Sequence, residues 1–386
     1  MTAKRVGWAG VALGFLAFFV AVPPLTVRSP LVVIVLAVLA MAAGSYAIAG
    51  GERRLGWSAI VAGLVGLAGG YAATQSGVAN LDRVVVWGAL GAATLRYATP
   101  LIFGALGGLF SERSGVINIG LEGMMLMGAF FGAWGADLTS SWILGLLIAI
   151  AAGAVFGALH ALFAVTFRAD QIVSGTALNL LAVGITGYLF VEVYGDLGTP
   201  DDLPQVPNVS LPIDWLPLLG DVFGELNLLV WLALGAVLVT WVFMFRTPMG
   251  LRLRSAGENP LAAETAGLNV VRTRYFAVMT SGGLAAMGGA FLSIGFLHTF
   301  TQEMTAGRGF IALAALIFGR WRPGLALTAT LLFGFGSALA GRLPVFSPSG
   351  AVLFQALPYV LTLIAVTGLI GRSIPPLALG RPLPRS

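Results

Sequence analysis

The sequence predicts an all-α, polytopic membrane protein of about twelve spans with both termini on the cytoplasmic side. Three observations carry this. Apolar runs of about 18 residues or more recur from end to end, each able to cross a ~30 Å hydrocarbon core as helix. Charged residues are 10% of the chain and hydrophobic residues 58%, whereas a soluble domain carries about 25% charged residues. The basic residues, 20 arginines and the single Lys4, fall in short segments between the apolar runs, which is the distribution of topology signals and not of a nucleic-acid-binding face.

In chain order the runs place spans over residues 7–22, 31–50, 55–74, 84–109, 116–137, 142–165, 172–194, 226–245, 275–297, 309–319, 324–340 and 351–370. The run at 309–319 is too short to cross unless its neighbours thin the path. Lys4 and Arg5 ahead of the first run could mark a secretory signal. Val22-Pro23-Pro24 offers no small-residue cleavage site, so the run is expected to stay as a span. With the N-terminus inside, 16 basic residues lie in the cytoplasm and four, Arg28, Arg83, Arg308 and Arg342, lie outside. That bias fixes the orientation by the positive-inside rule. Arg96 is left within a span and reads as an anchor reaching the outer interface.

Two connections are long. Residues 196–225 hold Asp196, Asp201, Asp202, Asp214, Asp221 and Glu225 with no Lys or Arg, and five prolines forbid a long helix there, so this loop belongs outside. Residues 246–274 carry five arginines and belong inside, where they exceed what a turn between helices needs. Glycine is 53 of 386 residues, about double the usual share. Pairs four apart at Gly66/Gly70, Gly104/Gly108, Gly128/Gly132 and Gly153/Gly157 suit close helix packing. No clear internal sequence repeat is visible.

Several chemistries are excluded. No Cys is present, so there is no disulfide, thiol nucleophile or cysteine metal site. With Lys4 the sole lysine, no Walker A loop can form and the chain has no nucleotide site of its own. His160 and His298 lie in different spans with neither an H-E-x-x-H pair nor a metal cluster, and read as structural or interfacial. No G-x-S-x-G elbow occurs. An enzyme is not expected, nor a cofactor, a metal or a nucleic-acid partner.

The polar stretch Ser111-Glu112-Arg113-Ser114-Gly115-Val116-Ile117-Asn118-Ile119-Gly120-Leu121-Glu122-Gly123 stands out in the first half. Asn118 and Glu122, four apart, are expected on one helix face with Glu122 well inside the bilayer. A carboxylate facing lipid there costs several kcal/mol, so Glu122 must face protein or a water-filled path. The sequence leaves gate and helix-helix glue both open. Thr176 and Asn179 give the next span a polar face, with Ser174 beside them, and Gln355 does so for the last. Together these uncharged groups suit a neutral polar solute better than a proton-coupled pump.

The cytoplasmic loop is the sharpest local signal. In Gly257-Glu258-Asn259-Pro260-Leu261-Ala262-Ala263-Glu264-Thr265-Ala266-Gly267-Leu268, Asn259 suits an N-cap, Pro260 the first helical position and Gly267 the exit. The spacing predicts a helix of about two turns, with an alanine surface small enough to lie in a partner's groove.

At these residues the chain resembles the transmembrane permeases of type II ABC importers, which serve ribose, branched-chain amino acids and nucleosides. Gly257, Asn259, Pro260, Ala262, Ala263, Gly267 and Leu268 resemble that family's coupling helix. The stretch from Ser111 to Gly123 resembles the version found in nucleoside importers that work with a lipoprotein receptor of the basic membrane protein type. The resemblance spans roughly residues 90–370. It implies a permease core over residues 84–386 after additional membrane segments in residues 1–83. It also implies a second permease subunit of different sequence, two cytoplasmic ATPase subunits, an extracytoplasmic solute-binding lipoprotein, and a place in the cell (plasma or inner) membrane. The chain would then be half of a path for a small polar solute, a purine nucleoside in first place, with a sugar or branched-chain amino acid as the variant within the class. The competing class is an ion-coupled secondary transporter, which needs a coupling ion and no ATPase. A membrane enzyme of lipid metabolism is disfavoured for want of catalytic residues.

Topology is testable because a cysteine-free chain accepts single-cysteine labelling without background. Gln205→Cys is expected to react with an impermeant maleimide from outside, and Asn259→Cys only after the membrane is opened. The opposite accessibility would invert the orientation.

Overall fold

Inside a bilayer every backbone N–H and C=O must find a partner within the protein, which leaves helix as the default for each apolar run. The structure is a computed structural model that describes residues 2–22, 25–75, 86–195, 198–213, 215–216, 218–342 and 374–382. The segment expected at 351–370, and Gln355 with it, lies outside the described residues.

The helices are α1 (Ala3–Phe19), α2 (Pro30–Ala49), α3 (Arg53–Gln75), α4 (Trp87–Arg113), α5 (Leu121–Thr139), α6 (Trp142–Ala161), α7 (Gln171–Tyr194), α8 (Leu219–Phe223), α9 (Leu228–Arg246), α10 (Pro248–Glu258), α11 (Pro260–Thr265), α12 (Val270–Ala290), α13 (Arg308–Phe318) and α14 (Pro323–Ala340). π-helical turns extend α6 over Leu162–Thr166 and α12 over Phe291–Leu297. Among the described residues the only sheet is a hairpin in the outer loop, β1 (Asn208–Ser210) against β2 (Glu225–Asn227), with Asn208 opposite Asn227. Seven helices, α2, α4, α6, α7, α9, α12 and α14, are long and apolar enough to cross a membrane. The protein is a multi-pass helical membrane protein.

The described residues fall into two compact units, 2–94 with 332–342, and 95–331 with 374–382. In the first, α1, α2 and α3 pack through glycines. A Cβ on Gly44 would strike the Gly56 carbonyl, and Cβ atoms on Gly66 and Gly70 would strike the carbonyls of Gly14 and Ala17. Ala17, Val33, Ala37 and Ala73 close its core, with Phe18 and Trp87 against them.

The second unit is built around α12. Gly128 and Gly132 of α5 lie against Ala286 and Ala290, while Gly153 and Gly157 of α6 lie against Gly282 and Val278. Gly104 and Gly108 of α4 receive Ala312 and Leu316 of α13. All four glycine pairs seen in the sequence are therefore sites of close helix approach, where dispersion contacts between backbones replace the hydrophobic drive that lipid removes. At the outer end, Thr199 Oγ1 meets Thr299 Oγ1 at 2.6 Å and Val206 N donates to Ile294 O at 3.0 Å. The Tyr97 ring lies edge-on to Phe296 at 5.8 Å, level with the far end of α12's π turn.

Some boundaries differ from expectation. α4 runs on to Arg113, α5 begins only at Leu121 where a span was expected from residue 116, and α12 starts at Val270. The succession of long helix, non-helical crossing and new helix occurs twice, as α4, residues 114–120, α5 and as α12, residues 298–307, α13. This recurrence lies in the element order and leaves no clear trace in the sequence.

If α12 needs its glycines for backbone contact, Gly282→Leu should cost about 3 kcal/mol or more by forcing α6 away. Gly235→Leu, on an exposed face of α9 with nothing nearby, should be neutral. The check is the thermal unfolding midpoint of each purified variant, and equal midpoints would remove α12 from the centre of the packing.

Candidate functional site

Residues 114–120 leave the helical conformation inside the bundle, so their backbone groups need other partners. Gly115, at φ +95°, turns the chain out of α4. Ser111 Oγ donates to Val116 O at 2.8 Å, and Gln171 Oε1 accepts from Ile117 N at 2.8 Å. His160 Nε2 donates to Ile117 O at 2.9 Å. Asn179 closes the segment from both sides, its Nδ2 donating to Ile119 O at 3.0 Å and its Oδ1 accepting from Gly123 N at 2.8 Å. Gly120 and Gly175 touch backbone to backbone, which brings α7 close enough for these side chains to reach.

The stretch rises from the inner end of the bundle, where Gln171 at the start of α7 holds Ile117, to the level of Asn179 and Gly123. Asn179 lies eight residues into α7, about 12 Å along its axis. With Arg168 and Asp170 just before α7 at the inner interface, Gly123 is near the middle of a ~30 Å core. At this depth Glu122, in the first turn of α5, reaches across to the start of α13. Its Oε1 accepts from Gly307 N at 2.8 Å and its Oε2 from Gly309 N at 2.5 Å. One carboxylate thus satisfies two orphan amides of a helix that begins mid-bilayer, where the helix dipole also favours a negative charge. Gly307 has φ +82°, and Arg308 turns back to donate to the carbonyls of Met304 (2.9 Å) and Thr305 (3.1 Å).

Asn118 and Glu122 do not share a helix face. Asn118 is in the non-helical stretch, fully buried, with Nδ2 donating to Ser281 Oγ of α12 at 2.9 Å and Oδ1 without a partner among the described residues. The four-residue spacing misled because the helix starts only at Leu121. Thr176 is exposed on α7 and donates to its own helix at Ile172 O, 2.9 Å away. Of the expected polar residues, the structure brings Asn118, Glu122 and Asn179 together around the break and leaves Thr176 outside it. His160 is fully buried and bonded to the Ile117 carbonyl.

The inner loop folds as two helices. Asn259 Oδ1 accepts from Ala262 N at 3.1 Å, Pro260 opens α11, and Gly267, at φ +83°, ends it while Leu268 N donates to Ala263 O at 3.0 Å. α10 was not foreseen, although Thr247-Pro248 repeats the cap-and-proline pattern: Thr247 Oγ1 accepts from Gly250 N at 3.1 Å. Ala263 faces inward at 5% exposure, in a cluster with Val116, Ala161, Ala256, Val270 and Val278. The outward surface of α11 is Leu261, Ala262, Glu264 and Thr265, followed by Ala266, so the alanine face is narrower than expected. Gly257 is buried as well, its Cα packed on the Arg113 carbonyl and its own carbonyl accepting from Ala378 N at 2.9 Å.

These contacts join the loop to the break. Fully buried Arg274 donates through Nε to Ser114 O at 3.1 Å and through Nη1 to Arg381 O at 3.3 Å, and Gly380 N donates to Gly115 O at 3.1 Å. Arg113 grips Trp321 O at 2.8 and 3.1 Å and faces Glu258 at 3.8 Å. Gln171, Arg274, Ser281 and Gly307–Gly309 carry these links, and their long sequence separations hide them from local reading.

A family described as the permease component of branched-chain amino acid transport systems matches residues 90–366. The guanosine ABC transporter permease protein NupQ of Bacillus subtilis is 45% identical over 78% of this chain and 98% of its own length. The nucleoside ABC transporter permease protein NupC of Lactococcus lactis is 40% identical over 78% of this chain and 97% of its own. A putative glucose ABC transporter permease protein of Haloferax volcanii is 38% identical over 65% and 76% respectively. No solved structure matches the chain.

Replacing Glu122 by Ala strands two buried amides and should lower stability by about 3 kcal/mol, at about 1.5 kcal/mol or more for each bond to a charged group. Glu122→Gln keeps one acceptor and should lose about half as much. Thermal unfolding of the purified variants reads this directly, and an unchanged midpoint for Glu122→Ala would mean the carboxylate holds nothing together.

Proposed function

The chain belongs to the family of branched-chain amino acid transport system permease components, and on that premise we propose that it forms one half of the translocation path of an ATP-driven importer whose solute is a nucleoside. The observation that carries this is the unbroken line of contacts from the cytoplasmic helices α10 and α11, through Gly257, Arg113 and Arg274, to the helix break at Glu122. Such a line can carry a push on α11 to the middle of the membrane, since residues 114–120 are held by side chains from several helices and not by one helical ladder. The nucleoside assignment rests on the named solutes of the two relatives at 40% and 45% identity.

In this proposal one of the two ATPase subunits docks on the outward face of α11, with Asn259, Pro260 and Gly267 fixing its shape and Gly257 and Ala263 seating it on the membrane helices. A second permease subunit, different in sequence, completes the path against the open face of α7, where Thr176 and the uncrowded Gly184 and Gly187 lie. Glu122, Asn118 and Asn179 form the gate by holding or releasing the start of α13. A lipoprotein receptor delivers solute to the acidic outer loop. Residues 1–83, ahead of the matched region, are additional membrane segments. This deployment needs no cofactor in the chain, and ATP is hydrolysed by the partner subunits.

Purification from native membranes discriminates the classes: co-purifying ATPase subunits support the importer, and uptake driven by an ion gradient without them would overturn it. Ala262→Arg adds a bulky charge to the docking face. Burying it unpaired costs several kcal/mol, enough to weaken docking about a hundredfold. The variant is expected to be normally abundant, to lose its ATPase subunits and to lose nucleoside uptake. Ala263→Arg should instead reduce abundance, because that side chain faces the core. Intact ATPase retention and uptake in Ala262→Arg would remove α11 as the coupling element.

A further inference from the structure

A cavity of about 470 Å³ opens on the cytoplasmic side where α10 meets the first turns of α12. Its cationic wall is Arg252 and Arg272, both exposed, and neither forms an ion pair with another described residue. No Asp or Glu lines it. Asn269, the N-cap of the 21-residue α12, lies in the same wall, so the positive end of that helix adds to the two guanidinium groups. Met249 and Phe276, on the same helices as the two arginines and exposed at 49% and 44%, add apolar surface to the lining.

Depth can be read from the neighbours. Arg246 ends α9 with its guanidinium over Trp241 at 5.3 Å, and Arg254 lies over Phe245 at 5.0 Å, the arginine and aromatic belt of an inner membrane interface. Phe276 packs near Phe243, 6.4 Å between centroids, in the turn of α9 just above that belt. Arg272 is one helical turn, about 5–6 Å, further toward the cytoplasm. The cavity therefore has apolar residues at the level of the belt and two arginines about one helical turn nearer the cytoplasm. A soluble anion would leave the apolar residues exposed to water, and a neutral headgroup would leave two cations without a counter-charge.

We propose that this cavity holds the phosphate headgroup of one anionic phospholipid of the inner leaflet, seated on Arg252 and Arg272 with its first acyl methylenes against Met249 and Phe276. Basic pockets beside membrane helices on this side attract anionic lipid by such charge pairing. The seat adjoins the exit of α11 at Gly267, so lipid composition would bear on that loop's setting, although the binding site itself stands whether or not α11 couples to an ATPase.

The test is native mass spectrometry of the intact complex purified from its own membranes, stripped of lipid and returned to dioleoyl-phosphatidylglycerol, dioleoyl-phosphatidylcholine or inorganic phosphate. Phosphatidylglycerol is expected to be retained saturably and at least tenfold better than phosphatidylcholine. The preference should fall at high salt, which needs no variant to observe. Arg252→Gln with Arg272→Gln should abolish it, at roughly fivefold for each charge, and the paired Arg→Lys variant should restore most of it. Equal retention of both lipids, or a preference unchanged in the Gln pair, overturns the proposal. So does full occupancy by inorganic phosphate alone, which would make this a site for a free anion. Lipid retention only after ATPase subunits are removed also overturns it, by assigning the cavity to protein docking.

Discussion

A chain that leaves the helix within a membrane bundle must supply a partner for every amide and carbonyl it releases, and the stretch from Ser114 to Gly120 in the second unit answers to that constraint. The stretch after Arg113 does so by borrowing side chains: Gln171, His160 and Asn179 from α6 and α7, and Arg274 from α12. The start of α13 does so with Glu122. Water would make the same break cheap and unspecific. In hydrocarbon each unmade bond costs several kcal/mol, so the break exists only where these particular donors and acceptors converge.

Convergence in turn depends on distance. Side chains as short as Asn179 reach a neighbouring backbone only because glycines let helices lie against one another, as Gly120 does against Gly175 and Gly128 against Ala286. α12 gathers most of these contacts and is the most buried of the seven spans. The polar network and the small-residue packing are therefore one design: glycine brings the backbones together, and the few buried polar groups use the proximity. Among the described residues of this network, Oδ1 of Asn118 and Nη2 of Arg274 are the exceptions, buried polar atoms beside the break without a hydrogen-bond partner.

The cytoplasmic end follows the same rule at lower cost, since water is near. Carbonyls of Ser114 and Gly115 are taken by Arg274 and Gly380, and the Gly257 carbonyl by Ala378, so residues near the C-terminus stitch the inner loop to the foot of the break. In the importer proposed above, a displacement of α10 and α11 would be passed to residues that are already non-helical. Rigid helices transmit such a push along their axes, whereas a side-chain-held segment can exchange partners.

The sequence by itself determined the membrane class, the approximate positions of the described spans, the charge contrast between the outer and inner loops, and the caps of α11, because hydropathy, charge and capping act over a few neighbouring residues. Asn259, Pro260 and Gly267 do what their spacing says. The resemblance carried by residues 111–123 and 257–268 also reached the family. Only the tertiary structure decided that Asn118 leaves the helix, that Ala263 turns inward and that Glu122 caps α13. Each of those outcomes is set by a partner distant in the chain: Ser281 for Asn118, Val116 and Val270 around Ala263, Gly307 and Gly309 for Glu122. A helix can end wherever a better hydrogen-bond partner than its own next turn is within reach, and which partners are within reach is a property of the packed bundle, not of the local sequence.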